Sequence, residues 1–123
     1  MKREVKVKRK FLIKSIEENY MWIVLNKSFL SIVKNRNDKN TLLVRARVNG
    51  DINKVFQDAD VFEDANADYK YRSYIDRKIV ANEISKELMN INYDNFKNSV
   101  SKDDYTRSNA YMNVWSALNK MQS

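Results

Sequence analysis

Apolar residues recur with a period of two along some short stretches of this chain and with a helical period along others. Residues 22–25 and 29–33 are β-rich runs separated by Asn26, Lys27 and Ser28, which predicts two strands joined by a tight turn or bulge. Residues 34–40, KNRNDKN, are a polar turn cluster. Beyond them Leu42, Val44, Ala46 and Val48 alternate with Leu43, Arg45 and Arg47. That alternation predicts a half-buried strand over 42–48, with one apolar face and one presenting two arginines. Residues 69–75 alternate Tyr69, Tyr71, Ser73 and Ile75 against Lys70, Arg72 and Tyr74, which predicts another strand. A short strand is expected at 60–63, inside the acidic connection 58–68.

Helical spacing takes over elsewhere. The single glycine, Gly50, marks a break before a helix that Asp51 is placed to cap, with Ile52, Val55 and Phe56 as its buried stripe. Asp76 is placed to cap a second helix over 77–90, in which Ile79, Val80, Ile84, Leu88 and Ile91 recur at helical spacing. Tyr93, Phe96 and Val100 share one side of a short helix or tight loop. Ser101, Asp103 and Asp104 open a last helix over 104–120. Its stripe of Tyr111, Val114, Trp115, Leu118 and Met121 is expected to be core, as aromatic residues on such stripes usually are. Strands, helix, strand, then helices make an α+β fold, a small antiparallel sheet with helices packed on one face. Residues 21–123 form one such domain behind a leader of residues 1–20.

Composition narrows the chemistry. The chain has 123 residues, enough for a single domain with a modest core, and a hydrophobic content of 43% argues against disorder. No apolar run approaches the roughly 18–20 residues that span a bilayer, and Phe11-Leu12-Ile13 is too short for a secretory h-region, so a cytoplasmic protein without a membrane partner is expected. There is no cysteine and no histidine, which excludes disulfides, Cys/His zinc sites and every Cys/His or Ser/His catalytic device. With one glycine and no proline, there is no Gly-rich phosphate loop. These absences point to a protein that binds: no catalytic residue, metal site or cofactor is assigned.

The net charge of +7 is concentrated at one end. Residues 1–14 carry +6 and residues 15–123 only +1. The leader residues Lys6, Lys8, Arg9 and Lys10 are therefore candidates for a polyanion-binding arm. The alternative is a solvated lysine-rich strand. Val5 and Val7 alternate with Lys6 and Lys8 before Phe11-Leu12-Ile13, which suits an edge strand kept soluble by its lysines, or a flexible arm with an apolar anchor. The strand is favoured, because a free arm has no need of the alternation.

Arg45, Arg47, Lys70 and Arg72, interleaved with Tyr69, Tyr71 and Tyr74, form a second candidate site. Guanidinium groups pair with phosphates and rings stack on bases, which is what single-stranded nucleic acid requires. The alternative is an ordinary exposed sheet face with tyrosines packed under a helix. The glycine–aromatic octamer of RNA-recognition domains is missing. Asp60 followed by Asp68-Tyr69-Lys70 is similar to the paired carboxylates and lysine of metal-dependent nucleases, set against a solvated acidic loop. An EF-hand is excluded, since Phe62 or Glu63 stands where its glycine must turn. Lys97 and Tyr111, the latter near Trp115, are minor candidates.

The blocks MWIVLNKSFLSIV, LLVRARVNGDI, ADYKYRSYI, INYDNFKNSV and AYMNVW, in that order over residues 21–118, resemble those of a widespread group of small, uncharacterised single-domain proteins of bacteria and their phages. The resemblance implies a single domain beginning near Met21, with the leader as an extension or an upstream start, and it brings no catalytic residues. Taken with the composition, it leads to the expectation of a non-catalytic accessory protein that binds nucleic acid or a nucleoprotein complex. Its most concrete version is an inhibitor of a host defence system such as an anti-CRISPR. A metal-dependent nuclease using Asp60, Asp68 and Lys70, and a structural or oligomerisation module, are the alternatives.

Overall fold

The computed structural model describes residues 20–122. Five strands and four helices follow one another: β1 (Tyr20–Val24), β2 (Phe29–Lys34), β3 (Thr41–Ala46), α1 (Asp51–Val55), β4 (Phe62–Glu63), β5 (Tyr71–Asp76), α2 (Arg77–Met89), α3 (Phe96–Ser99) and α4 (Tyr105–Asn119). The sheet is antiparallel throughout, in the order β1-β2-β3-β5-β4. The α+β expectation holds, with each main element within a few residues of its predicted place.

Local chemistry accounts for the turns. Between β1 and β2 the amide of Leu25 donates to the carbonyl of Ser28 at 2.8 Å. In the β2–β3 connection Asn35 and Asp38 bend the chain with their side chains. Asn37 donates its amide to Asn35 Oδ1 at 3.0 Å, and Asn40 donates its amide to Asp38 Oδ1 at 2.9 Å. Strand β5 runs directly into α2, where Asp76 accepts from the amide of Lys78 at 2.8 Å, the cap its position predicts.

Register sorts the side chains into two faces, because residues opposite one another in neighbouring strands point the same way. Leu30, Ile32, Val44, Ala46 and Ile75 point to one face, and onto it pack Ile52 and Val55 of α1, Phe56 at the end of α1, and Val80 of α2. This is the core. The other face carries Trp22, Phe29, Ser31, Leu43, Arg45, Arg72 and Tyr74.

Three expectations about packing are corrected. Asp51 does not cap α1. Gly50 occupies the cap position at φ 93°, in the left-handed region that suits glycine, and the Asp51 side chain turns inward instead. In α2 only Val80 and Ile84 of the expected stripe reach the core, while Ile79, Leu88 and Ile91 are exposed. In α4 the expected core stripe is largely open, with Trp115 51%, Leu118 58% and Met121 81% exposed.

Candidate functional site

The expected basic–aromatic cluster forms on the outer face of the sheet, and pairing explains why. Trp22 lies opposite Ser31, Ser31 opposite Arg45, Arg45 opposite Arg72, and Arg72 opposite Phe62. One row thus crosses all five strands with an aromatic ring at each end and two arginines near its middle. Both ends are open: Trp22 is 58% exposed, and Tyr74, stacked on Phe62 at 5.8 Å between centroids, is 53% exposed. On the Trp22 side the ring meets Phe29 edge-on at 5.7 Å.

The arginines are held in place. Arg45 donates from Nη2 to Ser31 Oγ at 2.7 Å. Arg72 donates from Nη1 to the carbonyl of Tyr69 at 3.2 Å, and Arg47, just past the end of β3, donates to the carbonyl of Asp68 at 2.8 Å. Both Arg45 and Arg47 lie over the ring of Tyr69, at 4.6 and 4.1 Å from its centroid. A guanidinium is a planar fork, so these anchoring bonds fix its plane.

Not every residue of the predicted cluster joins. Tyr69 precedes β5 and is buried beneath the two arginines, so it orients them and offers no face to a base. Tyr71 points to the core face, and Lys70 lies near it, 5.6 Å from its ring, and 3.9 Å from Glu63. Tyr71 therefore leaves the candidate surface, whereas the Lys70 side chain is half-exposed. Lys6, Lys8, Arg9 and Lys10 lie outside the described residues, as does the expected leader strand. Trp22 and Phe62 were missing from the sequence-based cluster. Alternation marks each as facing outward or inward, but only strand order puts them in line with Arg45 and Arg72.

The nuclease alternative loses its support. Among the described residues no group of three or more acidic side chains is placed to hold a metal ion. The backbone carbonyl of Asp60 accepts from Ser73 Oγ at 2.9 Å, and that of Asp68 accepts from Arg47, so both residues serve as loop scaffolding through their main chain.

A second polar cluster, unforeseen in the sequence, sits where α4 meets the sheet. Arg107, almost fully buried, donates from Nη2 to Asp51 Oδ1 at 2.6 Å, from Nε to Asp104 Oδ2 at 3.0 Å and from Nη1 to the Tyr111 hydroxyl at 3.0 Å. Asp51, fully buried, also accepts the amide of Phe29 at 3.0 Å, and the Tyr111 hydroxyl donates to the carbonyl of Leu25 at 2.9 Å. Burial works against the charge on Arg107, yet the bonds to Asp51, Tyr111 and Asp104 outweigh it and raise its pKa. Burial raises the Tyr111 hydroxyl, with the Arg107 bond acting in the opposite sense. Asp104 is held below the usual carboxylate range, chiefly by the Arg107 amide and then by its guanidinium. A fixed, charge-compensated arginine with no open face is a structural fastening. It ties α4 to α1 and to the β1–β2 turn.

Beside this fastening, Lys97 of α3 lies 4.3 Å from the Trp115 ring centroid, and Phe96 stacks on Tyr111 at 6.0 Å. They help to line a groove of about 250 Å³ with Val24, Val100, Met112 and Leu118. None of the described helices is long and apolar enough to cross a membrane. No family model matches the chain, and no curated protein or solved structure matches it either.

Proposed function

We propose that the protein is a non-catalytic binding module that takes single-stranded nucleic acid, free or within a nucleoprotein complex, on the outer face of its sheet. One observation carries this: the cross-strand row Trp22–Ser31–Arg45–Arg72–Phe62, with exposed rings at its ends and oriented guanidinium groups between. Phosphates of a strand crossing the sheet would meet the arginines. Bases would stack on Trp22 and on the Phe62–Tyr74 pair. The arrangement favours sequence-tolerant binding, since stacking accepts any base and the row offers few directional donors for base edges. An accessory role of phage or mobile-element type, including inhibition of a host defence complex, is the finer version and rests on the block resemblance alone.

The test is titration of short fluorescein-labelled oligo-uridine and oligo-thymidine read by anisotropy, with quenching of Trp22 in a Trp115→Phe background as a second readout. Expected are quenching on binding, an affinity loss of about 1–3 kcal/mol for Trp22→Ala, and a log affinity–log salt slope flattened by about 0.7 for Arg72→Ala. Absence of binding at low salt, or binding untouched by both substitutions, would overturn the assignment.

A further inference from the structure

The inference concerns α4 and is independent of the sheet face. Arg107, Tyr111, Val114, Trp115 and Leu118 are spaced by four, three, one and three residues and so share one side of the helix. The first part of that side is docked: Arg107 is buried and Tyr111 half-buried against the domain. Its continuation, Val114, Trp115 and Leu118, is exposed, and the next apolar residue, Met121, is more exposed still. The side that seals the first turns thus runs on past the residues that seal it. Residues 108–119 contain no charged residue at all. An exposed helix normally carries charges on its open surface, and their depletion together with aromatic and methionine enrichment is the composition of a buried interface centre.

We infer that the second half of α4 is the contact surface of a homodimer, two copies pairing their α4 helices antiparallel about Trp115. Three features favour a second copy as the occupant. The first is charge. An antiparallel pairing about Trp115 sets 109–121 against 121–109, where Lys120 is the only charged residue, so no cluster of like charges opposes the contact. The second is shape. Met112, Val114, Trp115 and Leu118 of the exposed stripe line the groove together with Val24, Phe96 and Val100. Groove and stripe therefore lie on one surface, as the self-complementary patch of a two-fold interface requires. The third is area. The exposed parts of Met112, Val114, Trp115, Leu118 and Met121 amount to roughly 500 Å² per copy, so their complete burial removes about 1,000 Å² for the pair, the threshold for a weak, reversible biological interface.

Sedimentation velocity of the full chain over a range of micromolar concentrations is the test, with Leu118→Glu as the breaking variant and far-ultraviolet circular dichroism as the folding control. The expected result is a concentration-dependent monomer–dimer equilibrium, shifted to monomer at least tenfold by Leu118→Glu with unchanged helicity. Because the protein has no cysteine, Trp115→Cys, the position that faces itself across the two-fold axis, gives a second readout: air oxidation should yield a covalent dimer, and Tyr105→Cys on another side of α4 should not. A chain monomeric at every concentration, a dimer that survives Leu118→Glu, or equal cross-linking at the two cysteines would each overturn the inference.

Discussion

Helices α2 and α4 are alike in length, 13 and 15 residues, and each begins at an aspartate whose carboxylate accepts a backbone amide. They are attached by opposite means. Helix α2 lies on the core face and is held by Val80 and Ile84 among aliphatic neighbours, with Lys27 and Glu87 paired at 3.0 Å as a partly exposed supplement. Helix α4 buries one residue, and that residue is an arginine. Apolar packing is tolerant, because a neighbour can relax into a small void. A buried ion pair is not, since removing one partner strands a charge in a poor solvent. The difference also has a functional side. A helix fastened by polar bonds near its start does not need its apolar stripe for attachment, and the remainder of that stripe stays available.

The contrast is broken most severely at Arg107. Arg107→Ala leaves the fully buried Asp51 carboxylate with only the more distant Lys54, at 3.8 Å, as a charged partner, and about 3–5 kcal/mol of stability should be lost. Denaturant unfolding should report that loss together with a partial loss of helicity as α4 detaches. A loss under about 1 kcal/mol would mean that α4 is held by something other than this network.

On the α2 side Val80→Ala should cost about 2 kcal/mol, the transfer value of the deleted carbons plus a small cavity. The denaturant midpoint should fall while the slope and the helicity stay unchanged. If Val80→Ala proved costlier than Arg107→Ala, the ranking of the two attachments would be reversed.

The smallest effect is a pH dependence centred on Asp104. Its folded pKa lies below the ordinary 3.8, so its contribution is complete above that value and disappears as pH falls through the lowered one. Asp104→Asn should therefore lower the melting temperature at neutral pH, where the contribution is complete, and flatten the acid limb so that the two proteins converge below about pH 4. An acid limb identical in both proteins would show that Asp104 takes no part in the fastening under load. Tyr111 has the opposite sign: its raised pKa means that stability is intact below 10.0 and declines as pH rises through the folded value.

Much of this was written in the chain. The alternation over 42–48 and 69–75 specifies which residues turn inward, because a pleated strand admits no other arrangement of successive side chains. Asp76 and Asp104 mark helix starts through their short acceptor side chains and the unpaired amides that follow them. Gly50 marks a point where the chain needs a positive φ, although the neighbouring Asp51 was free to be taken for the cap.

Tertiary structure decided the rest. Periodicity states that Trp115 and Leu118 share a side of a helix, but not whether anything covers that side, since coverage depends on where the neighbouring elements end. Sequence showed Arg45 and Arg72 as outward residues of separate strands, and strand order alone placed Trp22 and Phe62 in line with them. Arg107 and Asp51 are 56 positions apart, and no local pattern distinguishes a charge that will be buried from one that will be solvated. Hydrophobic pattern is a property of a few neighbouring residues, whereas the pairing of distant charges and the exposure of a face are properties of the closed chain.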